Sequence, residues 1–376
     1  MGGTSIGFGI IGLGMISEFH AKAIAAMADA ELVACFSRDQ AKADGFAETH
    51  GGKGYDSLDG FLAHEGLDVV TICTPSGAHL EPALAAAAAG KHVVCEKPLE
   101  VNTERIDQMI AASDEAGTLL GGIFPRRFNP ATARLKQAVA DGRFGKINLA
   151  DVYVKWWRTQ AYYDSGAWRG TWALDGGGAL MNQSIHTIDL LLHVMGDVKS
   201  VRAETRLLAH SGIEVEDTAV AMLEFETGAL GVIQGSTASW SGAGHPAEVQ
   251  ITGSEGSVFL SDDRFRVWEF AEEGEDDGRI RAELGLGASA ARVGRPSQAQ
   301  GTAKGLLSLK CRLGSLLQEF RVVRLGRVQG AVVQAEGEHA LLLAPSPLRR
   351  SSSARLRPVG RPLPRVEPRT AGRIRL

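Results

Sequence analysis

The chain is poor in the features that mark secreted, membrane-spanning or metal-clustering proteins. Its 376 residues include only four cysteines, none of them in a CxxC or CxxxC pair, which favours a reduced setting over a disulfide scaffold. No run reaches the roughly 18 apolar residues that a membrane-spanning helix needs, and residues 1–5 carry no basic charge ahead of the first apolar stretch. We therefore expect a soluble, cytoplasmic protein that binds no membrane.

The C-terminal quarter lacks aspartate, asparagine, tyrosine and tryptophan altogether. From Arg281 to Leu376 the formal net charge is +13, whereas the rest of the chain carries −17, and 7 of the 13 prolines lie in this last part. So sharp a break predicts a boundary, and we separate residues 286–376 as an atypical Arg/Pro-rich tail. We expect Leu348–Arg369 to be disordered or loosely attached. We favour a reading-frame shift in a GC-rich gene over a native basic tail for anionic partners.

Residues 1–124 alternate buried apolar runs with helical patterns, which is typical of βαβ units on a parallel sheet. The predicted strands are Ile6–Ile11, Glu31–Phe36, Val69–Cys73, His92–Cys95 and Leu119–Phe124. Helices are predicted from near Ile16, at Leu80–Ala89 and at Thr103–Ala116. This half is therefore predicted to be an α/β domain with a doubly wound parallel sheet.

Residues 125–285 change to the alternating pattern of half-buried strands. The predicted strands are Ile147–Trp157, Val198–Leu208, Thr218–Phe225, Ala229–Ser239, Glu248–Gly253 and Phe265–Phe270. A helix is predicted at Ala131–Asp141, and a long one at Ala179–Met195 after Gly176-Gly177-Gly178. Because Glu226-Thr227-Gly228 is typical of a hairpin turn, we predict an α+β domain with a large, mostly antiparallel open sheet.

A glycine turn follows the first strand and opens the first helix. Its sequence is Gly12-Leu13-Gly14-Met15-Ile16-Ser17, with serine where a third glycine is usual. Gly12 permits the tight turn, and Gly14 lets a pyrophosphate approach the backbone at the positive end of the helix. The pattern predicts a Rossmann-type dinucleotide site that includes Met15 and Ile16; a purely structural glycine turn is the alternative.

The end of the second strand bears on the choice of dinucleotide. In NAD-binding folds an acidic residue there accepts hydrogen bonds from the adenosine ribose, but this strand ends in Ser37-Arg38-Asp39. A hydroxyl followed by a guanidinium suits a 2′-phosphate, because arginine forms charge-assisted bonds with phosphate oxygens. We therefore favour NADP, with NAD possible because Asp39 could still reach a ribose.

Two further strand ends are assigned to the cofactor side, since open α/β sheets bind ligands at the carboxyl ends of their strands. Thr74, Pro75 and His79 follow the third predicted strand, and Glu96-Lys97-Pro98 follow the next. A lysine there could donate a hydrogen bond to a substrate oxygen. From position alone, a catalytic and a structural role for Lys97 are equally consistent.

Four polar side chains share one narrow stripe of the predicted helix Ala179–Met195, if every residue advances by 100°. They are Asn182, His186, Asp189 and His193. Polar groups converging on one side of an apolar helix favour the wall of an active site. A solvent-facing stripe is one alternative, and a zinc or iron site on the two histidines and Asp189 is another.

An aromatic and basic cluster lies just upstream of that helix. Indole and phenol faces pack against sugar C–H surfaces, and arginine binds hydroxyls or carboxylates. We assign Arg158, Trp168 and Arg169 to substrate binding. No nucleic-acid motif accompanies the cluster, so we expect no nucleic-acid partner. The cluster comprises Trp156, Trp157, Arg158, Tyr162, Tyr163, Trp168, Arg169 and Trp172.

Taken together, these motifs resemble those of the Gfo/Idh/MocA oxidoreductases, the glucose–fructose oxidoreductase or inositol dehydrogenase family. The resemblance covers about Ile6–Phe270 and rests on Gly12-x-Gly14, Glu96-Lys97-Pro98, Arg126–Pro130 and Gly176–Leu191 in order. It implies NAD(P)-dependent oxidation or reduction of sugars and cyclitols. It also implies an open-sheet second domain and homodimers or homotetramers formed through the face of that sheet.

Carried over position by position, the resemblance gives Lys97 and His186 catalytic roles. His186 would take the hydroxyl proton while Lys97 stabilises the developing alkoxide. The family's aspartate, four residues before the histidine, is Asn182 here; an amide cannot accept that proton, so a relay through this position is in doubt. We place Asn182 and Asp189 on the substrate side and expect no metal. A non-catalytic NAD(P)-binding sensor or partner protein is the alternative function.

Overall fold

The computed structural model describes residues 5–286, together with the backbone of two short paired strands, β14 (Val332–Ala335) and β15 (Glu338–Leu341). The segment Leu348–Arg369, predicted to be disordered or loosely attached, lies outside the described residues. No helix in the described part of the chain has the length and apolar character needed to cross a membrane.

The first domain is a six-stranded parallel sheet in the order β3-β2-β1-β4-β5-β6. This confirms the predicted doubly wound fold. The patterns missed the short β3 and two helices, α2 and α3. The elements are β1 (Ile6–Ile11), α1 (Met15–Ala25), β2 (Ala30–Phe36), α2 (Gln40–His50), β3 (Lys53–Tyr55), α3 (Leu58–Leu62), β4 (Val69–Ile72), α4 (Leu80–Ala88), β5 (His92–Cys95), α5 (Thr103–Ala116) and β6 (Leu120–Gly122).

Alternate residues of β1 bury opposite faces of this sheet. Phe8 and Ile10 pack with Ile24 of α1, whereas Ile11 belongs to the cluster that includes Leu80 of α4 and Met109 of α5. Helices on both faces explain why the strands read as continuous apolar runs. The strand order brings the carboxyl ends of β1, β2, β4 and β5 to one edge, where all the predicted cofactor residues lie.

The second domain is a seven-stranded sheet in the order β13-β12-β11-β7-β10-β9-β8. It is mostly antiparallel, as predicted, with one parallel pair between β10 and β7. Gly228, at φ 83°, closes the predicted hairpin between β9 and β10. The elements are α6 (Pro130–Ala140), β7 (Ile147–Lys155), α7 (Gln160–Asp164), α8 (Ile185–Met195), β8 (Val198–Arg206), β9 (Thr218–Phe225), β10 (Leu230–Ser236), β11 (Ala247–Gly253), β12 (Gly256–Ser261), β13 (Arg264–Phe270) and α9 (Asp277–Leu284).

One face of this sheet is covered by α8, and the opposite face, called the open face below, is exposed to solvent over the described residues 5–286. On β9, Ala221 and Leu223 are buried with Leu191 of α8, whereas Val220 and Met222 point the other way and are 45% and 53% exposed. The open face also holds a hollow of about 330 Å³. Apolar and polar residues therefore alternate along each strand because only one face of the sheet is buried.

The predicted helix Ala179–Met195 is not regular throughout. Ala179–Ser184 form a wider π-helical turn, and α8 begins only at Ile185. A constant advance of 100° does not hold across that junction, so placing Asn182 on the same stripe as His186, Asp189 and His193 was wrong. The wide turn is stabilised by Glu216, two residues before β9, which accepts the N–H groups of Gly178 and Leu180 at 3.0 and 2.9 Å.

Candidate functional site

The glycine turn after β1 leaves room at the start of α1. No side chain caps this helix, and a Cβ added to Gly14 meets nothing within 4 Å, whereas one added to Gly12 lies 2.8 Å from Thr74 N. Ser17, in the third-glycine position, is fully buried and donates to Gly14 O at 2.6 Å. Uncapped amides at a helix N-terminus beside open space fit a dinucleotide pyrophosphate. Met15 is exposed at the same point and Ile16 is half-buried.

At the end of β2, the residues that follow the strand face solvent. Asp39 caps α2 by accepting from Lys42 N at 3.3 Å, and its own N–H donates to Ser37 Oγ at 3.2 Å. Arg38 is exposed and forms no ion pair with any described carboxylate. The structure therefore uses Asp39 as a helix cap and leaves the guanidinium of Arg38 available.

The turn after β4 is tied to the loop that carries Lys97. His79 is 1% exposed, and its ring nitrogens lie 2.9 Å from Thr74 O and 3.0 Å from Pro98 O. Thr74 Oγ1 donates to Ala78 O, and Pro75 precedes a 3₁₀ turn. The imidazole of His79 faces inward, so it positions the loops around a cofactor rather than offering a free nitrogen to one.

Glu96 sits between Lys97 and α1. Its Oε1 is 2.9 Å from His20 Nε2, and its Oε2 accepts from Lys97 N at 3.1 Å. Burial lowers the pKa of His20, but hydrogen bonds and charges of Cys73 and Glu96 raise it to about 10. The result is a buried pair, a carboxylate and an imidazolium, beneath the Lys97 loop. His20, on a helix far along the chain from Glu96, was missed by sequence reasoning.

Lys97 and His186 come from different domains and lie close enough at the strand edge for the charge of Lys97 to act on His186. Lys97 Nζ donates to the main-chain oxygen of Asn182 at 3.0 Å. The pKa of Lys97 is lowered mainly by burial; Glu96 and Asp175 act against this shift, and Arg158 and Arg169 add to it.

Burial also holds the pKa of His186 well below its usual range, and the charges of Lys97 and Arg126 lower it further. The imidazole is therefore neutral near pH 7. Its Nδ1 is buried and has no hydrogen-bond partner among the described residues, and Phe124 packs edge-on to the ring at 6.3 Å. A neutral imidazole near a half-buried ammonium can exchange a proton with a hydroxyl that the ammonium also contacts.

Asp175 is a buried carboxylate that the motif analysis did not single out. It is 3% exposed, accepts from Gly170 N at 2.8 Å through Oδ2, and accepts from Asn182 Nδ2 through Oδ1. Burial raises the pKa of Asp175 above its usual range, although those hydrogen bonds and the charges of Arg169 and Lys97 act against the shift. Asn182 is thus held by a carboxylate seven residues upstream, and its main chain in turn holds Lys97.

The predicted substrate residues Arg158 and Arg169 converge on Tyr162. Arg169 donates to Tyr162 OH at 2.7 Å, and the guanidinium carbons of Arg169 and Arg158 lie 4.3 and 5.4 Å from its ring centre. Arg158 also donates to Gln183 Oε1 at 2.6 Å, and its Nε is buried without a partner in the described part of the chain. An unpaired buried N–H costs about 1–3 kcal/mol, so a ligand atom at this position would recover that loss. Trp168 stacks on Arg169 at 4.6 Å.

The structure does not bring Asp189 and His193 to this site. Asp189 is paired with Arg127, which also stacks on Phe124 at 5.4 Å, and His193 Nε2 lies 3.2 Å from Lys136 Nζ. Asp189 is therefore engaged by Arg127, whose neighbour Phe124 packs on His186. Within residues 5–286, no three His, Cys, Asp or Glu side chains are grouped closely enough to hold a metal ion.

Comparisons with known proteins agree with this geometry. Residues 6–122 match the model of the oxidoreductase family with an NAD-binding Rossmann fold, and residues 132–259 match the GFO/IDH/MocA C-terminal domain. The chain is 30% identical over 275 residues to the myo-inositol 2-dehydrogenase of Thermotoga maritima, covering 72% of this chain and 79% of that one. It is also 30% identical to the 1,5-anhydro-D-fructose reductase of Ensifer adhaerens, covering 67% of this chain and 74% of that one.

Among solved structures, the WlbA dehydrogenase of Bordetella pertussis is similar. It is 40% identical to this chain, with a TM-score of 0.70, covering 74% of this chain and 81% of that one. That structure is a complex with NADH and UDP-GlcNAcA. Both halves of the fold are thus shared with NAD(P)-binding sugar dehydrogenases.

Proposed function

Since the chain belongs to the Gfo/Idh/MocA oxidoreductase family, we propose that it transfers a hydride between NAD(P) and a hydroxyl-bearing carbon of a sugar, sugar derivative or cyclitol. The observation that supports this most is the proximity of Lys97 and His186. Each has a lowered pKa, each is half-buried, and each comes from a different domain. Titratable groups with shifted pKa values that converge at a strand edge are typical of acid–base catalysis.

The two side chains divide the chemistry of a CH–OH group between them. In the oxidative direction, the neutral imidazole of His186 accepts the hydroxyl proton while the ammonium of Lys97 stabilises the negative charge that develops on the oxygen. A bound nicotinamide supplies the acceptor for the hydride that leaves the same carbon. In the reductive direction, His186 returns the proton to the carbonyl oxygen.

For the cofactor we propose NADP over NAD. Arg38 is exposed and unpaired among the described residues, Ser37 lies beside it, and Asp39 is occupied as the cap of α2. A guanidinium in this place suits a 2′-phosphate. Because the similar Bordetella pertussis protein is complexed with NADH, affinities for both cofactors have to be measured side by side.

We also propose a homodimer or homotetramer formed through the open face of the second sheet. Leu149, Val220, Met222 and Leu230 lie on this face and are 45–55% exposed. A contiguous apolar patch of this kind is typical of a contact between protein chains. Light scattering on the purified chain tests this, since a monomer at micromolar concentration would contradict it.

The deciding experiment is a turnover assay. The protein is mixed with NAD or NADP and a panel of pyranoses and cyclitols, and the nicotinamide absorbance is followed. We expect absorbance to rise with at least one substrate class. Tight cofactor binding with no turnover on any member, in either direction, would favour the sensor alternative instead.

A further inference from the structure

Two arginines of the substrate side form no ion pair within residues 5–286. Arg158 donates to Trp157 O and Gln183 Oε1, and Arg169 donates to Tyr162 OH. Neither lies within 4 Å of a carboxylate oxygen in residues 5–286. Arginines that lack an ion pair while lying partly buried beside each other are uncommon, because like charges repel and a buried charge is normally compensated.

The nearby buried carboxylates are already engaged by other donors. Asp175 binds Gly170 N and Asn182 Nδ2, Glu216 caps the π-helical turn, and Glu96 pairs with His20. Asp175 acts on Arg169 electrostatically but forms no hydrogen bond with it, so the positive charge of the two arginines is only partly compensated at this end of the site. It reaches the reacting centre, since Arg158 and Arg169 both lower the pKa of Lys97.

The two guanidinium groups are also held in place before any ligand binds. The faces of both groups stack on Tyr162, and Arg158 lies 5.1 Å above Trp156 as well. The backbone of Arg158 is fastened by His210 Nε2, 2.8 Å from Arg158 O. When the face of a guanidinium stacks on a ring, the N–H groups at its edge stay available to a ligand. Such preorganisation lowers the entropic penalty of binding.

We propose that Arg158 and Arg169 form a subsite for an oxyanion of the substrate, a carboxylate or a phosphate, so that the sugar oxidised or reduced here carries an acidic group. This inference rests on the proposed function and narrows its substrate class. Arginine forks match carboxylate and phosphate oxygens with paired charge-assisted hydrogen bonds. The buried, unpaired Nε of Arg158 is one donor available for such an atom.

The test compares four probes that differ only in their acidic groups. D-glucose has none, D-glucuronate has a carboxylate, UDP-glucose has a diphosphate, and UDP-glucuronate has both. Binding is measured by calorimetry on the full chain with NADH bound, so that no alcohol is turned over. We expect at least one singly acidic probe to bind ten or more times tighter than glucose, and the one that does identifies the source of the oxyanion.

Variants assign that preference to the two arginines. Arg158→Met and, as an independent and more conservative change, Arg169→Gln should each reduce the preference about tenfold, whereas the exposed Arg134→Met should not change it. Equal affinity for glucose and all three acidic probes, no measurable binding of any acidic probe, or a preference that persists in both variants would overturn the proposal. Failure of the proposed function has a different signature: no turnover, with the anion preference intact.

Discussion

The site has two walls, one on the cofactor side and one on the substrate side, and they present different chemical groups. On the cofactor wall, the strand ends of the first domain present main-chain amides, glycines and open space around Gly14. On the substrate wall, a network of side chains connects Asp175, Asn182, Gln183, Arg158 and Tyr162. A main-chain wall depends on few side chains and tolerates sequence change elsewhere. A side-chain wall can be altered one group at a time, which suits a family with many substrates.

The largest expected effect comes from the point where the walls meet. Lys97→Met and His186→Ala should each lower kcat by roughly 10²–10⁴, because each removes a positioned acid–base or charge-stabilising group. Since the two act on one hydroxyl, the double variant should be little worse than either single one. Steady-state kinetics on all three variants measure this.

A matched pair outside the site provides the control. Lys136 Nζ and His193 Nε2 lie 3.2 Å apart away from the strand edge, and Lys136→Met and His193→Ala should leave kcat nearly unchanged. Losses that add fully in the Lys97 and His186 double variant would mean that these residues serve separate steps.

The cofactor wall can be tested without touching any catalytic side chain. Gly14→Val should weaken both cofactors more than tenfold, because its side chain fills the space that a pyrophosphate needs, while the fold persists since no atom lies within 4 Å of the added Cβ. Gly45→Val is the control, for its Cβ also meets nothing within 4 Å. Fluorescence titration with NADH and NADPH measures the cofactor affinity of both variants. An unchanged affinity in Gly14→Val would contradict the assignment of the pyrophosphate to this turn.

A smaller effect should distinguish the affinity for NADP from the affinity for NAD. Arg38→Ala should weaken NADP roughly tenfold, the worth of one charge-assisted hydrogen bond to the 2′-phosphate, and leave NAD nearly unchanged. The same titrations measure it, with Arg134→Ala as the control for loss of a surface charge. Equal losses for both cofactors, or tighter NAD binding by the unaltered protein, would contradict the proposed preference.

The smallest effect concerns the substrate wall and appears as a shift in pH dependence. The charge of Asp175 raises the pKa of Lys97, so Asp175→Asn should lower that pKa. Because Lys97 must be protonated to stabilise the alkoxide, activity is lost as pH rises through its pKa. The alkaline limb of kcat/KM should therefore move to lower pH, by about half to one unit.

Two observations show whether that shift is electrostatic. The exposed Asp141→Asn removes the same charge elsewhere and should leave the limb in place. A merely structural role of Asp175 would lower activity at every pH without moving the limb. The acid limb should lie below the ordinary histidine value of 6.5 in all these proteins, because the pKa of His186 is lowered.

The features of the fold and of the site that could be predicted from the sequence are those that depend on residues close together in the chain. The strand Ile6–Ile11, the glycine turn and the placement of Lys97 at a strand end all follow from periodicity and turn chemistry within a few residues. The short β3 and the strand β12 (Gly256–Ser261) were missed because three to six half-buried residues carry too little pattern. The irregular start of α8 was missed because Glu216, which stabilises it, lies 36 residues from Leu180.

Side-chain type and hydrophobic period are local properties of the chain, so the residues capable of chemistry and the buried face of each strand can be predicted from the sequence alone. Which of those residues lie together depends on the tertiary fold. Lys97 reaches the carbonyl of Asn182 across 85 residues, and Arg127 reaches Asp189 across 62. Contacts between distant residues, and the pKa values that follow from burial, depend on how the two domains pack, which no local pattern encodes.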